Sequence, residues 1–128
     1  LKTLRKQIGY VPQKGILFTG DSINHHLWMQ LPECSSIKAL IESLERIAFL
    51  ETEADFILHG HARDFDNITL MRALYDGAKS LLEGNTQNDA DYKWFGGLSK
   101  QHAFTIPEDD PKNPGQHVIC YDPGNIRP

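Results

Sequence analysis

The 128-residue chain has only two cysteines, Cys34 and Cys120, far apart in sequence and with no second thiol near either. That excludes a CxxC redox pair and a four-cysteine zinc site, and it fits reduced thiols in a cytoplasmic setting. Cys120, inside an apolar run, reads as a core residue. No stretch approaches the roughly 18 uninterrupted apolar residues of a membrane span, and Leu1-Lys2-Thr3-Leu4-Arg5-Lys6 lacks the apolar centre of a signal peptide. Basic residues are outnumbered, 13 against 17 acidic, for a formal charge of -4. The chain therefore carries no general electrostatic footprint for nucleic acid. Internal repeats and low-complexity tracts are missing too. What is present, 40% hydrophobic residues over this length, suffices for one modest globular domain or a part of one.

Two β-prone runs, Ile8-Gly9-Tyr10-Val11 and Ile16-Leu17-Phe18-Thr19, flank Pro12-Gln13-Lys14-Gly15 and predict a hairpin. Residues 22–32 show neither helical nor strand period and read as a loop. From Ser36, the apolar residues Ile37, Leu40, Ile41, Leu44 and Ala48 recur at helical spacing and predict a helix over 36–50. Ser35 or Ser36 is its cap, and Glu42 and Arg46 form an i,i+4 pair on its outer face. Phe56-Ile57-Leu58, closed by His59-Gly60-His61, is too short for a helix and reads as a buried strand. A second helix over 67–83 starts near Asp66, aligns Ile68, Met71, Leu74, Tyr75, Ala78 and Leu81, and stops at Gly84-Asn85. Residues 85–128 form an extension with one clear strand, at 117–121. The basic start (Lys2, Arg5, Lys6, Lys14) and the acidic Glu108-Asp109-Asp110 read as solvated surface. The expected fold class is α/β, in layers, with both helices covering one face of a sheet that contains strands 16–19 and 56–58.

Strand, helix, strand in that order makes a β-α-β unit, whose strands run parallel and present their C-terminal ends on the same side. One end carries Gly20-Asp21 and the other Gly60-His61. Ligand sites in such sheets lie at the carboxyl ends of the strands, so two metal-competent side chains should converge there. The joint pattern Gly15-Ile16-Leu17-Phe18-Thr19-Gly20-Asp21, helix, Asp55-Phe56-Ile57-Leu58-His59-Gly60-His61 resembles the C-terminal half of the metallo-β-lactamase superfamily over residues 8–84. The resemblance implies half of an αββα fold, with Asp21 bridging two zinc ions and His61 as the last ligand. It further implies hydrolysis of an ester, thioester, lactone, lactam or phosphodiester by metal-bound hydroxide, with Asp21 steering the water.

His59 stands where that family has proline, and it reads as a plain strand residue, with a donor that supports a metal ligand as the alternative. The family's His-x-His-x-Asp-His motif does not occur in these residues, and the segment before the hairpin offers lysines and an arginine in place of a further ligand histidine. Asp21 and His61 are two ligands where a catalytic zinc takes about three. The chain is thus expected to be one partial domain, inactive and weak in zinc binding until an N-terminal half supplies the remainder. The other expectation is a non-catalytic scaffold or interaction domain that has lost its metal site. A vacated sheet face favours pairing with that half or with a second copy, as a homo-oligomer.

His25, His26 and Trp28 follow Asp21 and are placed at the substrate rim of the pocket. Since neighbours in extended chain point to opposite sides, at most one of the two histidines should face the metal. Arg63 and Asp64 read as surface ion-pairing residues, or as a carboxylate contact and an imidazole-orienting group. Tyr92, Trp94, Phe95 and Gly96-Gly97 read as packing against the outer sheet, with a lid as the alternative. His102 and His117 have no spacing partner and no assigned role.

Overall fold

The structure, a computed structural model, describes residues 14–61, 63–112 and 115–128. The first arm of the expected hairpin, at 8–11, and most of the basic start lie outside the described residues. In chain order the elements are β1 (Ile16–Gly20), β2 (His26–Met29), α1 (Ile37–Ile47), a 3-10 helix (Ala48–Thr52), β3 (Phe56–His59) and β4 (Asp66–Asn67). They are followed by α2 (Thr69–Leu82), β5 (Ala90–Trp94), β6 (Gly97–Phe104), β7 (His117–Tyr121) and a 3-10 turn (Pro123–Asn125). One sheet has the order β1-β3-β4 and the other β2-β7-β6-β5, so the described fold is a mixed α and β structure.

The β-α-β unit forms as expected. β1 and β3 are parallel, with Ile16 opposite Phe56 and Leu17 opposite Ile57. Between them α1 begins at Ser36, whose Oγ accepts a hydrogen bond from the Ala39 N–H at 3.1 Å. The Lys38 N–H, which no helical carbonyl can reach, goes instead to the Ile126 carbonyl at 2.8 Å. Ile37, Ile41 and Leu44 form the buried stripe. The winding tightens after Ile47, so the expected helix over 36–50 ends in a 3-10 segment. Glu42 pairs with Lys38 at 4.0 Å, not with Arg46, whose guanidinium donates to Ser43 Oγ.

Three expectations change. Residues 26–29 of the supposed loop are strand β2, parallel to β7, with outward His26 and Trp28 alternating with inward Leu27 and Met29. Residues 85–128 contain a second missed element, the antiparallel β5–β6 hairpin. Its inward positions on β6 include Ser99 and His102, and these polar residues hide the strand period. Asp66 belongs to β4, ahead of α2.

The helices do not cover the β1–β3 sheet alone. Ile57 and Leu17 from that sheet and Leu27, Phe104 and Ile119 from the other all join one core with Ile41, Leu44, Leu70 and Leu74. α2 packs against both α1 and β6, because Ala73 and Gly77 widen its buried face beyond a single stripe. Among the described residues no helix is long and apolar enough to cross a membrane.

The α2–β6 contact yields a first prediction. A Cβ added at Gly77 would lie 2.8 Å from Phe104 Cβ, and Phe104 is itself buried. Gly77→Ala gains about 1 kcal/mol of helix propensity and loses roughly 1–3 kcal/mol to overpacking. The expected net result is a lower urea midpoint at unchanged slope. A raised midpoint would mean that Phe104 yields to the methyl group.

Candidate functional site

The C-terminal ends of β1 and β3 meet through backbone first. The register slips by one residue after Phe18, bringing Gly20 opposite His59, and the Gly60 N–H donates to the Gly20 carbonyl at 2.8 Å. Gly20 turns the chain at φ 57°, a conformation open to glycine at no steric cost. Asp21 then lies so close to Gly60 that a Cβ there would sit 2.6 Å from Asp21 Oδ1. The two glycines let the side chains that follow them meet: His61 Nε2 is 3.1 Å from Asp21 Oδ1. Both side chains are about three-quarters exposed, at 74% and 76%.

Residues 21–26 are held by polar contacts of their own. Thr19 Oγ1 donates to the Ile23 carbonyl at 3.0 Å, and the buried Asn24 donates from Nδ2 to the Asp21 carbonyl and accepts the His26 N–H, both at 2.7 Å. The Val118 N–H donates to the His25 carbonyl, seating the segment against β7. A cleft of about 650 Å³ results, lined by Asp21, His25, His26, Trp28, His59 and His61 among others. All five residues placed at the site from sequence line it.

The two neighbouring histidines diverge. His26 lies 3.2 Å from Cys120 Sγ and edge-on to Trp28 and Tyr92. Burial, and then the charge of His61, hold its imidazole below the ordinary value. Trp28 continues into an aromatic ledge with Tyr92, Trp94 and Phe95 on the β5–β6 hairpin, and Phe95 is 89% exposed. Cys120 is fully buried, and burial pushes its thiol up to about 11, so it stays protonated at neutral pH and is no nucleophile.

His25 turns inward, into a network that sequence reasoning missed. Its Nε2 lies 2.9 Å from Asp66 Oδ1, while His59 Nε2 lies 2.7 Å from Asp66 Oδ2. Its Nδ1 is 2.8 Å from His117 Nδ1, and His117 Nε2 is 2.9 Å from Asp109 Oδ1. The His59 side chain is only 3% exposed and bonded to Asp66, so of its two readings the plain strand residue gives way to the supporting imidazole. His117 and Asp109 correct two further readings, one a histidine without a role and the other an acid on a solvated surface. Asp66, which the sequence places at the start of a helix, bonds both imidazoles.

Burial pushes the Asp66 carboxyl up, but the hydrogen bonds and charges of His25 and His59 outweigh it and hold the group below the ordinary value. The proton inventory is equally informative. With both carboxylates ionised, closing the bonds Asp66–His25, His25–His117 and His117–Asp109 takes three ring protons on two rings. Two neutral imidazoles carry one fewer.

Two sets of metal-competent groups therefore sit side by side. Asp21 and His61 suit two positions in a zinc coordination sphere and by themselves do not complete one. His25, His59 and Asp66 place one ligand atom each within 4.8 Å of one another. No model of a known protein family, no characterised protein and no solved structure matches this chain.

Asp109 supplies a second prediction. Burial raises its carboxyl, but the His117 hydrogen bond, the Ile106 N–H and the His117 charge outweigh that and hold it below its ordinary 3.8. A depressed carboxyl contributes stability that is complete above its unfolded value and is lost as pH falls through the folded one. Urea unfolding should find Asp109→Asn less stable than the unaltered chain at pH 7, with the gap closing below about pH 3.8. A gap of equal size at pH 7 and pH 2.5 would assign the role of Asp109 to packing alone.

Proposed function

We propose that the chain is the C-terminal half of a metal-dependent hydrolase like those of the metallo-β-lactamase superfamily. Asp21 and His61 would be its contribution to a metal site that an N-terminal half completes. The observation that carries the reading is the meeting of these two side chains, 3.1 Å apart, at the carboxyl ends of parallel neighbouring strands. A turn residue and a loop histidine with only structural duties have no reason to converge, and the glycines at 20 and 60 bring them together. Zinc bound there would lower the pKa of a water towards 7 and polarise the bond under attack.

The chain's own residues would do the remainder. Asp21 would hold the metal and accept a proton from the attacking water. His26, kept neutral by its surroundings, and Trp28 would contact substrate at the rim, the indole and the aromatic ledge beyond it offering apolar surface. A small-molecule ester, thioester, lactone, lactam or phosphodiester fits such a cleft. A nucleic acid fits the acidic balance of the chain poorly. The two unpaired thiols suit a cytoplasmic protein.

The test is hydrolysis of a panel of these substrates with zinc present, by this chain and by a protein in which the coding sequence upstream is included. The longer protein is expected to hydrolyse at least one class, the 128-residue chain none. Asp21→Ala should cost the longer protein at least about 100-fold. Unchanged turnover in that variant, or an upstream sequence without ligand histidines, would leave the scaffold reading in its place.

The same reading makes the isolated chain an oligomer. Phe18, on β1 at one edge of its sheet among the described residues, is exposed at 73%, and Phe95 and Leu98, at the β5–β6 hairpin, at 89% and 67%; a second half or a second copy would cover them. Light scattering at micromolar concentration should give a dimer or larger. A stable monomer would remove the case for a missing or second half covering these residues.

A further inference from the structure

We infer that His25, His59 and Asp66 form a zinc site that this chain holds on its own, separate from the Asp21–His61 pair and independent of the hydrolase reading. Both Nε2 atoms are aimed at one carboxylate, 2.9 Å and 2.7 Å from its two oxygens. In a tetrahedral zinc site with bonds of about 2.0 Å, ligand atoms stand about 3.3 Å apart. Each nitrogen thus needs to part from its carboxylate oxygen by only about half an ångström, and the three ligand atoms all lie within 4.8 Å of one another. Two imidazoles and a carboxylate are a complete protein ligand set for zinc with one position left to water. The cleft that His25 and His59 line gives solvent a way to it.

The proton inventory favours the ion further. Without a metal, the chain of contacts from Asp66 through His25 and His117 to Asp109 needs one ring proton more than two neutral imidazoles carry. Zinc on His25 Nε2 replaces that proton. His25 Nδ1–H then donates to His117 Nδ1, and His117 Nε2–H donates to Asp109, so the remaining bonds close with both rings neutral. A ligand imidazole whose other nitrogen donates into a line of groups ending on a carboxylate is the usual support of a zinc histidine. The cost falls on His59. Binding through Nε2 moves its proton to Nδ1 and gives up the long 3.3 Å hydrogen bond from the His61 N–H.

Burial sets this trio apart from the exposed pair. The His59 side chain is 3% exposed, and those of His25 and Asp66 are 28% and 24%. The ligands are held in place before the ion arrives, by β3, by β4 and by the Asn24-braced segment, so little ordering is left to oppose binding.

Calorimetric titration of zinc into the metal-free 128-residue chain tests the site. One zinc per chain is expected, with affinity at least about tenfold lower in His59→Ala and in Asp66→Asn, and unaltered in Asp21→Ala. Because either substitution could unfold the chain, the second measurement uses the unaltered protein. Histidine-ring NMR should show zinc moving His25 and His59 to the Nε2-coordinated pattern while the His61 ring keeps its shifts. Absence of stoichiometric zinc would overturn the inference and leave the Asp21–His61 reading standing. Zinc that shifts His61 and is lost in Asp21→Ala would overturn it too, in favour of that pair. A hydrolysis panel that fails in the longer protein bears only on the proposed function.

Discussion

Parallel pairing of β1 with β3 is the constraint on which the cleft depends. Two strands that run the same way must be joined by a crossover, here made of β2, α1 and the 3-10 helix, with α1 its packed element. Its buried stripe of Ile37, Ile41 and Leu44 ties the unit to the common core. With the strands fixed, their C-terminal ends can differ in height by only a residue or so. The one-residue slip after Phe18 sets that height, and Gly20 and Gly60 remove the side chains that would hold the ends apart. The contact of Asp21 with His61 is thus a consequence of strand register, and any change that lengthens β1 or shifts its pairing separates them.

A second set of constraints works at right angles to the first. β4 is only two residues long, yet its antiparallel pairing with β3 puts Asp66 opposite Ile57 and within reach of His59. β2 lies parallel to β7 in the other sheet, so His25, just ahead of β2, comes up against His117 at the start of β7. The His25–Asp66 contact therefore joins the two sheets through polar atoms at the rim of an otherwise apolar core. Four imidazole and carboxylate side chains removed from water in this way would be costly singly, and the cost is offset because each finds a partner. The neighbouring pairing of His102 with Asp89, which also accepts from Tyr121, follows the same rule.

Sequence reasoning reached the β-α-β unit because its signals are local. The helical spacing from Ile37, the cap at Ser36 and the short run before His59 are each read within a dozen residues. The strands it missed have local signals overlaid by something else. β2 alternates properly, but its outward positions are His26 and Trp28, residues that read as site residues in a loop. β6 turns Ser99 and His102 inward, contrary to the apolar-in rule, because His102 has Asp89 to bond. For the site, the pair at 21 and 61 was legible because each member ends a strand beside a glycine. His25 and His117 are 92 residues apart and Asp66 looked like the start of a helix, and no spacing rule connects groups that only tertiary packing brings together.

The exposed pair and the buried trio differ in what each still lacks. Asp21 and His61 keep most of their surface in water, so their mutual attraction is screened and adds little to stability. Such an arrangement has its ligand atoms open to solvent and its coordination incomplete, which suits a site finished by groups from elsewhere. His25, His59 and Asp66 are closed on themselves, and their geometry is enforced by two sheets. Opening them to an ion takes displacement of hydrogen bonds already made, yet with neutral rings the line from Asp66 to Asp109 is one proton short, and an ion on His25 Nε2 takes the place of that proton. Both sets face the same cleft through His25, His59 and His61. His59 stands two residues before His61 on one strand end and accepts its backbone N–H, so coordination at His59 would release the amide of the residue that the neighbouring pair uses. The two sets therefore adjoin through a backbone hydrogen bond in the β3 turn while their ligand atoms stay distinct.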